Sequence, residues 1–192
     1  MVDEITRCGW AGAVGSAMCE YHDSEWGVPT HGDRKLFELL CLEGAQAGLS
    51  WNTILNRRDG YRAAFDGFDI ATVAAYDEAR AEELRNDSRI IRNRAKIRAF
   101  IDNAAATLKL QESGESLDHF LWSFADTVPQ AKLRHDMSQV PSETDASRAM
   151  SKALKELGFR FVGPTICYAF MQSAGMVNDH IVDCFRHSEI TG

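Results

Sequence analysis

Ser151-Lys152-Ala153-Leu154-Lys155-Glu156-Leu157-Gly158-Phe159-Arg160-Phe161-Val162-Gly163-Pro164-Thr165 is the stretch whose reading decides the fold. Thr144-Asp145-Ala146-Ser147 ahead of it forms a helix start, and Met150, Leu154 and Leu157 then recur at four and three, the stripe of one helix face. Gly158 is a natural C-terminal stop, because glycine adopts the left-handed backbone that ends helices. Pro164 suits the first turn of a second helix, where its missing N–H costs nothing, and that helix ends at Gly175. Helix, glycine-containing hairpin, helix therefore spans about residues 145–175. The turn at Gly163 exposes backbone amides at a helix N-terminus, which attracts anions, and Lys152, Lys155 and Arg160 stand nearby. An ordinary hairpin that only packs two helices is the commoner outcome for such a unit.

Working outward, the other periodic segments are also helical. Asp33 is placed to cap a helix carrying Leu36, Leu39, Leu40 and Glu43, and Ser50 to cap one running from Trp51 toward Asp59-Gly60. Asp69 and Asp77 start two short helices. After Ser88 a long helix with Ile97, Phe100, Ile101, Ala104 and Leu108 on one face ends near Ser113-Gly114, and Leu117 to Phe124 forms another. Asp126 to Glu143, with Pro129 and Pro141, reads as a long surface connection. Alternating strand patterns and repeats are absent, so the fold class is all-α, one domain over residues 1–192. Hydrophobic content of 45% and charged content of 26% are ordinary for a globular chain. No apolar signal core and no membrane-length run stand in the sequence, so no membrane partner is expected and the cytoplasm is the expected location. A net charge of −7 argues against indiscriminate nucleic-acid binding by the whole surface, though a local basic face stays open.

Four groups of residues could carry chemistry. Glu43 lies seven, four and three residues after Leu36, Leu39 and Leu40, so it projects from an apolar face, and a carboxylate there needs a partner or a proton. Trp51 faces it across the turn at Gly48. Trp10, Tyr21 and Trp26 complete an aromatic cluster that could sandwich a flat, electron-poor ring, or simply form core. Five cysteines, an odd number, point to thiols or metal ligation rather than a disulfide framework. His180 and Cys184, four apart, would share a helix face as half a metal site, with Cys8 and His22 as the other half. Spacing alone leaves open that the two ends carry unrelated Cys and His. Last, Arg89, Arg92, Arg94, Lys96 and Arg98 form a basic run, either a solvated face or a phosphate contact. No Ser/His/Asp order, Walker loop or dinucleotide fingerprint is present.

These blocks together resemble the 3-methyladenine DNA glycosylase I family, a zinc-containing branch of the helix-hairpin-helix DNA glycosylases. The resemblance rests on RCGW at Arg7 to Trp10, YHDSEWGVP at Tyr21 to Pro29, LFELLCLEGAQAGLSW at Leu36 to Trp51, IIRNRAKI at Ile90 to Ile97, and SKALKELGFRFVGPTICYAFMQSAGMVNDH at Ser151 to His180. It implies a helical bundle in which Cys8, His22, His180 and Cys184 bind one structural Zn2+ that joins the two terminal segments. It implies that a damaged base flipped from double-stranded DNA lies against Trp51, lined by Tyr21 and Trp26 and read by Glu43, the candidate catalytic residue. Gly48 and Leu49 would fill the gap left in the base stack, and Phe161, Gly163 and Thr165 would hold the DNA backbone. The implied activity is monofunctional release of 3-methyladenine from alkylated DNA by a monomer, with no lyase step because the hairpin holds no Lys. A zinc-dependent hydrolase using His180, Cys184 and Glu43, and a non-catalytic binder of alkylated DNA, are the alternatives. Two positions depart from the pattern: Met18 stands where a Tyr is expected, and Val177-Asn178-Asp179-His180 replaces the Val-Asp-Thr-His context of many related glycosylases.

Overall fold

Short polar side chains start most of the helices. Ser16, Ser50, Asp69, Asp77, Asn93, Ser116 and Thr144 each accept a hydrogen bond from the amide three residues on, satisfying a donor that the first turn would leave unpaired. The structure, a computed structural model, describes residues 5–125 and 133–191. Its helices in chain order are α1 (Ala17–Ser24), α2 (Asp33–Gln46), α3 (Trp51–Leu55), α4 (Arg58–Ala64), α5 (Ile70–Ala74), α6 (Glu78–Asn86), α7 (Arg94–Glu112), α8 (Leu117–Trp122), α9 (Asp145–Glu156), α10 (Pro164–Ser173) and α11 (Phe185–Thr191). The all-α expectation holds, with no extended strand among the described residues.

The long helix α7 packs along α5, α6, α2 and α8, burying Ile97, Phe100, Ile101 and Ala104 against Phe65 and Phe68. On its other side α2 meets α3 and α10, so it lies between the α7 half of the core and the helix-hairpin-helix made by α9 and α10. That unit is fixed at three points. Asn103 of α7, buried, brackets Arg160 by donating to its carbonyl (3.1 Å) and accepting from its amide (2.7 Å). Ser151 donates to the Val162 carbonyl at 2.6 Å. Gly44 of α2 lets Phe161 approach so closely that a Cβ there would meet the Phe161 Cβ and carbonyl at 3.2 Å. The hairpin is thus set against the residue next to Glu43.

Three local expectations need correction. Asp33 does not cap its own helix, whose N-cap is Gly32. Its carboxylate instead accepts the Leu117 and Asp118 amides at the start of α8, while Asp118 accepts the Gly32 amide, so the two helix starts cap each other. The segment after Ser50 is two short helices rather than one, because the chain turns between Leu55 and Arg58. His180 and Cys184 lie in a turn ahead of α11 rather than on a helix face. Of the connection expected over 126–143, residues 126–132 lie outside the described residues. The remainder holds a 3-10 turn at Met137–Gln139.

The basic run before and within α7 is mostly spent on structure. Arg89 pairs with Asp87, Arg94 with Glu78, and Arg98 with Asp102. Lys96 is buried and donates to the carbonyls of Ala45 and Ala47, both at 2.7 Å, so its charge caps the C-terminal end of α2. Burial lowers its pKa from the usual lysine value.

At the end of α10, Gly27 and Thr30 donate their amides to the carbonyls of Gln172 and Ala174, which satisfies the helix terminus and brings the aromatic-rich segment across it. Gly175 permits this crossing. Its φ is +72°, and a Cβ would lie 2.3 Å from Pro29 N and Val28 C. We expect Gly175→Ala to destabilise the protein by about 3 kcal/mol or more in urea unfolding, against about 1 kcal/mol for Gly114→Ala, whose φ of +91° is strained but whose Cβ meets nothing within 4 Å. Equal losses would show that the crossing is not the tight constraint.

Candidate active site and metal centre

A cavity of about 390 Å³ opens where α1, α2, α3 and α10 converge. Tyr21, Trp26, Glu43 and Trp51 all line it, so the four residues expected to bind a base are brought together, with Trp10 and Met18 beside them. The rings meet at tilted or edge-on angles: Tyr21 and Trp51 have centroids 5.3 Å apart at 48°, and Trp10 and Trp26 4.9 Å apart at 79°. The buried Trp51 Nε1 has no partner among the described residues.

Glu43 is 3% exposed. Among the described residues no cation pairs with it. Among those residues its one hydrogen bond comes from Ser173, whose hydroxyl donates to Glu43 Oε1 and in turn accepts from the Tyr21 hydroxyl at 2.9 Å. Desolvation pushes the Glu43 carboxyl up to about 7, opposed by the Ser173 bond. Burial thus favours the neutral carboxyl, and a cation placed beside it would favour the charged form.

Glu43, Gln46 and Ala169 also line an adjoining surface hollow of about 200 Å³ that reaches Gly48, Leu49 and Thr165. Leu49 is 40% exposed, an apolar side chain left in solvent at the tip of the turn. Gly163 and Phe161 belong to the same rim but lie outside the hollow, and Phe161 packs on Gly44 instead. The amides of Phe161, Val162 and Gly163 have no partner among the described residues, and the space where a Gly163 Cβ would stand is open. These amides precede the first turn of α10, an arrangement suited to phosphate oxygens. Lys152 and Lys155 are exposed nearby.

Behind the aromatic wall, Cys8, His22, His180 and Cys184 are all buried, and their donor atoms lie within 4.8 Å of one another. His180 Nδ1 is 3.5 Å from Cys8 Sγ and 3.4 Å from Cys184 Sγ, while His22 Nε2 is 3.5 Å from Cys184 Sγ. The outer nitrogens are fixed. His180 Nε2 lies 3.1 Å from the Trp26 carbonyl, which can only accept, and His22 Nδ1 lies 2.8 Å from Asp23 Oδ1, itself held by Arg7. Each imidazole thus turns a lone pair inward, as a metal requires. A hydrogen bond from Cys8 pulls the Cys184 thiol well below its usual range, and the same bond pushes Cys8 up. These four residues could hold a metal ion. They also close the chain on itself, alongside the Phe185 amide bonded to the Thr6 carbonyl at 3.1 Å.

A family model for methyladenine glycosylase matches residues 10–187. The chain belongs to the methyladenine glycosylase family. DNA-3-methyladenine glycosylase 1 of Escherichia coli K12 is 52% identical over 180 residues, covering 94% of this chain and 96% of the relative. A crystal structure of a 3-methyladenine DNA glycosylase I superposes with a TM-score of 0.91 at 50% identity, over 94% of this chain and 98% of that one. A Tyr-to-Phe variant of a 3-methyladenine DNA glycosylase I, in complex with 3-methyladenine, superposes with a TM-score of 0.87 at 33% identity, over 92% and 95% of the two chains.

Within this family fold, several pocket residues escaped the sequence reading. Ser173, Gln172 and Ala169 line the cavity from α10, and their spacing of three and four was the available signal for a shared face. Met137 and Val140 close the cavity from the segment after residue 132, and no periodicity marks them. Asp179 resolves differently from a water-activating base. It is fully buried and accepts from Arg134 Nε (2.8 Å), Gln172 Nε2 (2.9 Å) and the Tyr168 hydroxyl, so its carboxylate is occupied in holding Gln172 and the segment that carries Met137.

The raised Glu43 value has a consequence for stability. The carboxyl moves from 4.5 to about 7, so the folded chain keeps a proton that the unfolded chain loses between those values. Its contribution is full below pH 4.5 and lost as pH rises through about 7. We expect Glu43→Gln to match the wild type near pH 4.5 and to exceed it by on the order of 1–3 kcal/mol at pH 8 in urea titrations. Equal stability at pH 8 would mean that the carboxylate is not desolvated.

Proposed function

We propose that this chain releases 3-methyladenine from alkylated double-stranded DNA by hydrolysing the N-glycosidic bond, leaving an abasic site. The carrying observation is the buried Glu43 carboxyl, with no cationic partner among the described residues, in an aromatic-lined cavity that adjoins a hollow reaching the exposed Leu49. An adenine alkylated on N3 carries positive charge while attached to its sugar. Trp51, Tyr21 and Trp26 offer ring faces to that cation, and Glu43 offers the negative charge, so the damaged base binds better than neutral adenine. Flipping costs a few kcal/mol of stacking and pairing, less for a damaged base. Leu49 and Gly48 fill the vacated space in the duplex, and the amides from Phe161 to Gly163, with Thr165, hold the backbone.

The chemistry asks little of a general acid, because the alkylated purine leaves as a neutral base. Glu43 stabilises the cation as the bond breaks through an oxocarbenium-like state and holds the product in place. The hairpin has no lysine to form a Schiff base, which supports hydrolysis without a lyase step. The three hydrogen bonds that Asp179 accepts support a structural role for it rather than water activation.

The donor set of Cys8, His22, His180 and Cys184 fits Zn2+. A tetrahedral zinc with two thiolates and two imidazoles places sulfur and nitrogen about 3.6 Å apart, against the observed 3.4–3.5 Å. Bound there, one zinc per chain supplies structure, fastening the two terminal segments behind Trp26. Four buried protein donors leave no open position, which disfavours a zinc-dependent hydrolase. The protein is treated as a cytoplasmic monomer. Among the described residues no helix is long and apolar enough to cross a membrane.

Incubation with N-methylated duplex DNA, followed by chromatography of the released bases, tests this function. Free 3-methyladenine and an intact but abasic strand are expected from protein carrying one zinc by elemental analysis. Zinc-loaded protein that binds the DNA yet releases no base would be a binder only, contrary to the proposal.

A further inference from the structure

A second hollow, of about 270 Å³, lies behind the base cavity, bounded by Glu25, Thr30, Lys35 and Arg58. The two hollows have Tyr21 and Ser173 in common, so these side chains form the partition between them. Ser173 is 5% exposed and uses its hydroxyl in both directions. The Tyr21 hydroxyl donates to Ser173 Oγ, which fixes the Ser173 proton on the Glu43 side, and Glu43 Oε1 accepts it. Glu43 Oε2 has no protein partner among the described residues.

We propose that Ser173 is a positioning residue for base reading: oriented by Tyr21, its hydroxyl ties down one oxygen of Glu43 and leaves the other turned into the cavity as a charged acceptor. The inference rests on Glu43 being the group that reads the base. The other neighbours do not do this work. Gln172 is occupied by Asp179, Trp51 offers a donor with no partner, and Met137 and Val140 are apolar. Among the described residues the other charged groups stand beyond the partition, where Arg58 is paired with Glu25. A hydrogen bond to the ionised carboxylate favours that form, so Ser173 is the one contact that opposes the burial of Glu43.

The test is calorimetric binding of 3,9-dimethyladeninium, a permanently charged mimic of the N3-alkylated base, between pH 5.5 and 9. Its fixed charge makes the profile report on the protein. Wild-type affinity is expected to fall as pH drops through about 7, where Glu43 takes up its proton. Ser173→Val keeps the partition closed to water but removes the hydroxyl, and its midpoint should rise by about one pH unit, with affinity at pH 7 about five- to tenfold weaker. Ser173→Thr keeps the hydroxyl and should follow the wild type. A valine variant with the wild-type midpoint, or a threonine variant displaced with it, would overturn the positioning role. Should the valine variant not fold, Ser173→Ala carries the test, and an unchanged midpoint there overturns it equally. Wild-type protein with no affinity at any pH would instead remove the Glu43 assignment itself.

Discussion

A carboxylate held out of water with no cation to neutralise it is the constraint on which this structure depends. Glu43 sits near the end of α2, on the helix face that the core buries, and among the described residues it receives a single hydrogen bond, from the Ser173 hydroxyl. Left alone it is driven toward its protonated form, which weakens folding above neutral pH. On the function proposed above, a cationic base would supply a partner, and the cost of burying the carboxylate would become selectivity for the damaged base. Adenine without the added charge offers no such compensation.

The surrounding elements are set relative to that point. The helix carrying Glu43 ends under Lys96, which caps its last carbonyls and so sets the turn that exposes Leu49. One residue beyond Glu43, Gly44 receives Phe161, and Asn103 and Ser151 clamp the hairpin there. The aromatic cavity, the exposed Leu49 and the hairpin are therefore referenced to one helix. The cluster of Cys8, His22, His180 and Cys184 serves the same end from behind, because His180 holds the Trp26 carbonyl while Trp26 lines the pocket.

Much of this was legible in the sequence, for identifiable reasons. Glu43 announced itself by its register with Leu36, Leu39 and Leu40, and the hairpin by Gly158 and Pro164, because periodicity and backbone chemistry are local. The helix starts at Ser50, Asp69, Asp77 and Thr144 were readable on the same grounds. What could not be read depended on partners distant in the chain. Asp33 caps α8 rather than α2, Lys96 caps α2 rather than contacting phosphate, and Asp179 is saturated by Arg134, Tyr168 and Gln172. The metal ligands occupied an intermediate position. Spacing left Cys8, His22, His180 and Cys184 as two unconnected halves, the family resemblance joined them, and the geometry shows them converging from a turn rather than the helix face expected for the second pair.

The most direct measurement is a crystal structure of the zinc-loaded protein with free 3-methyladenine. The account predicts the purine against Trp51 in the cavity lined by Tyr21 and Trp26, with Glu43 Oε2 within hydrogen-bonding distance of its edge and Ser173 still bonded to Oε1. A base bound elsewhere, or one in the cavity whose polar edge turns away from Glu43, would contradict it.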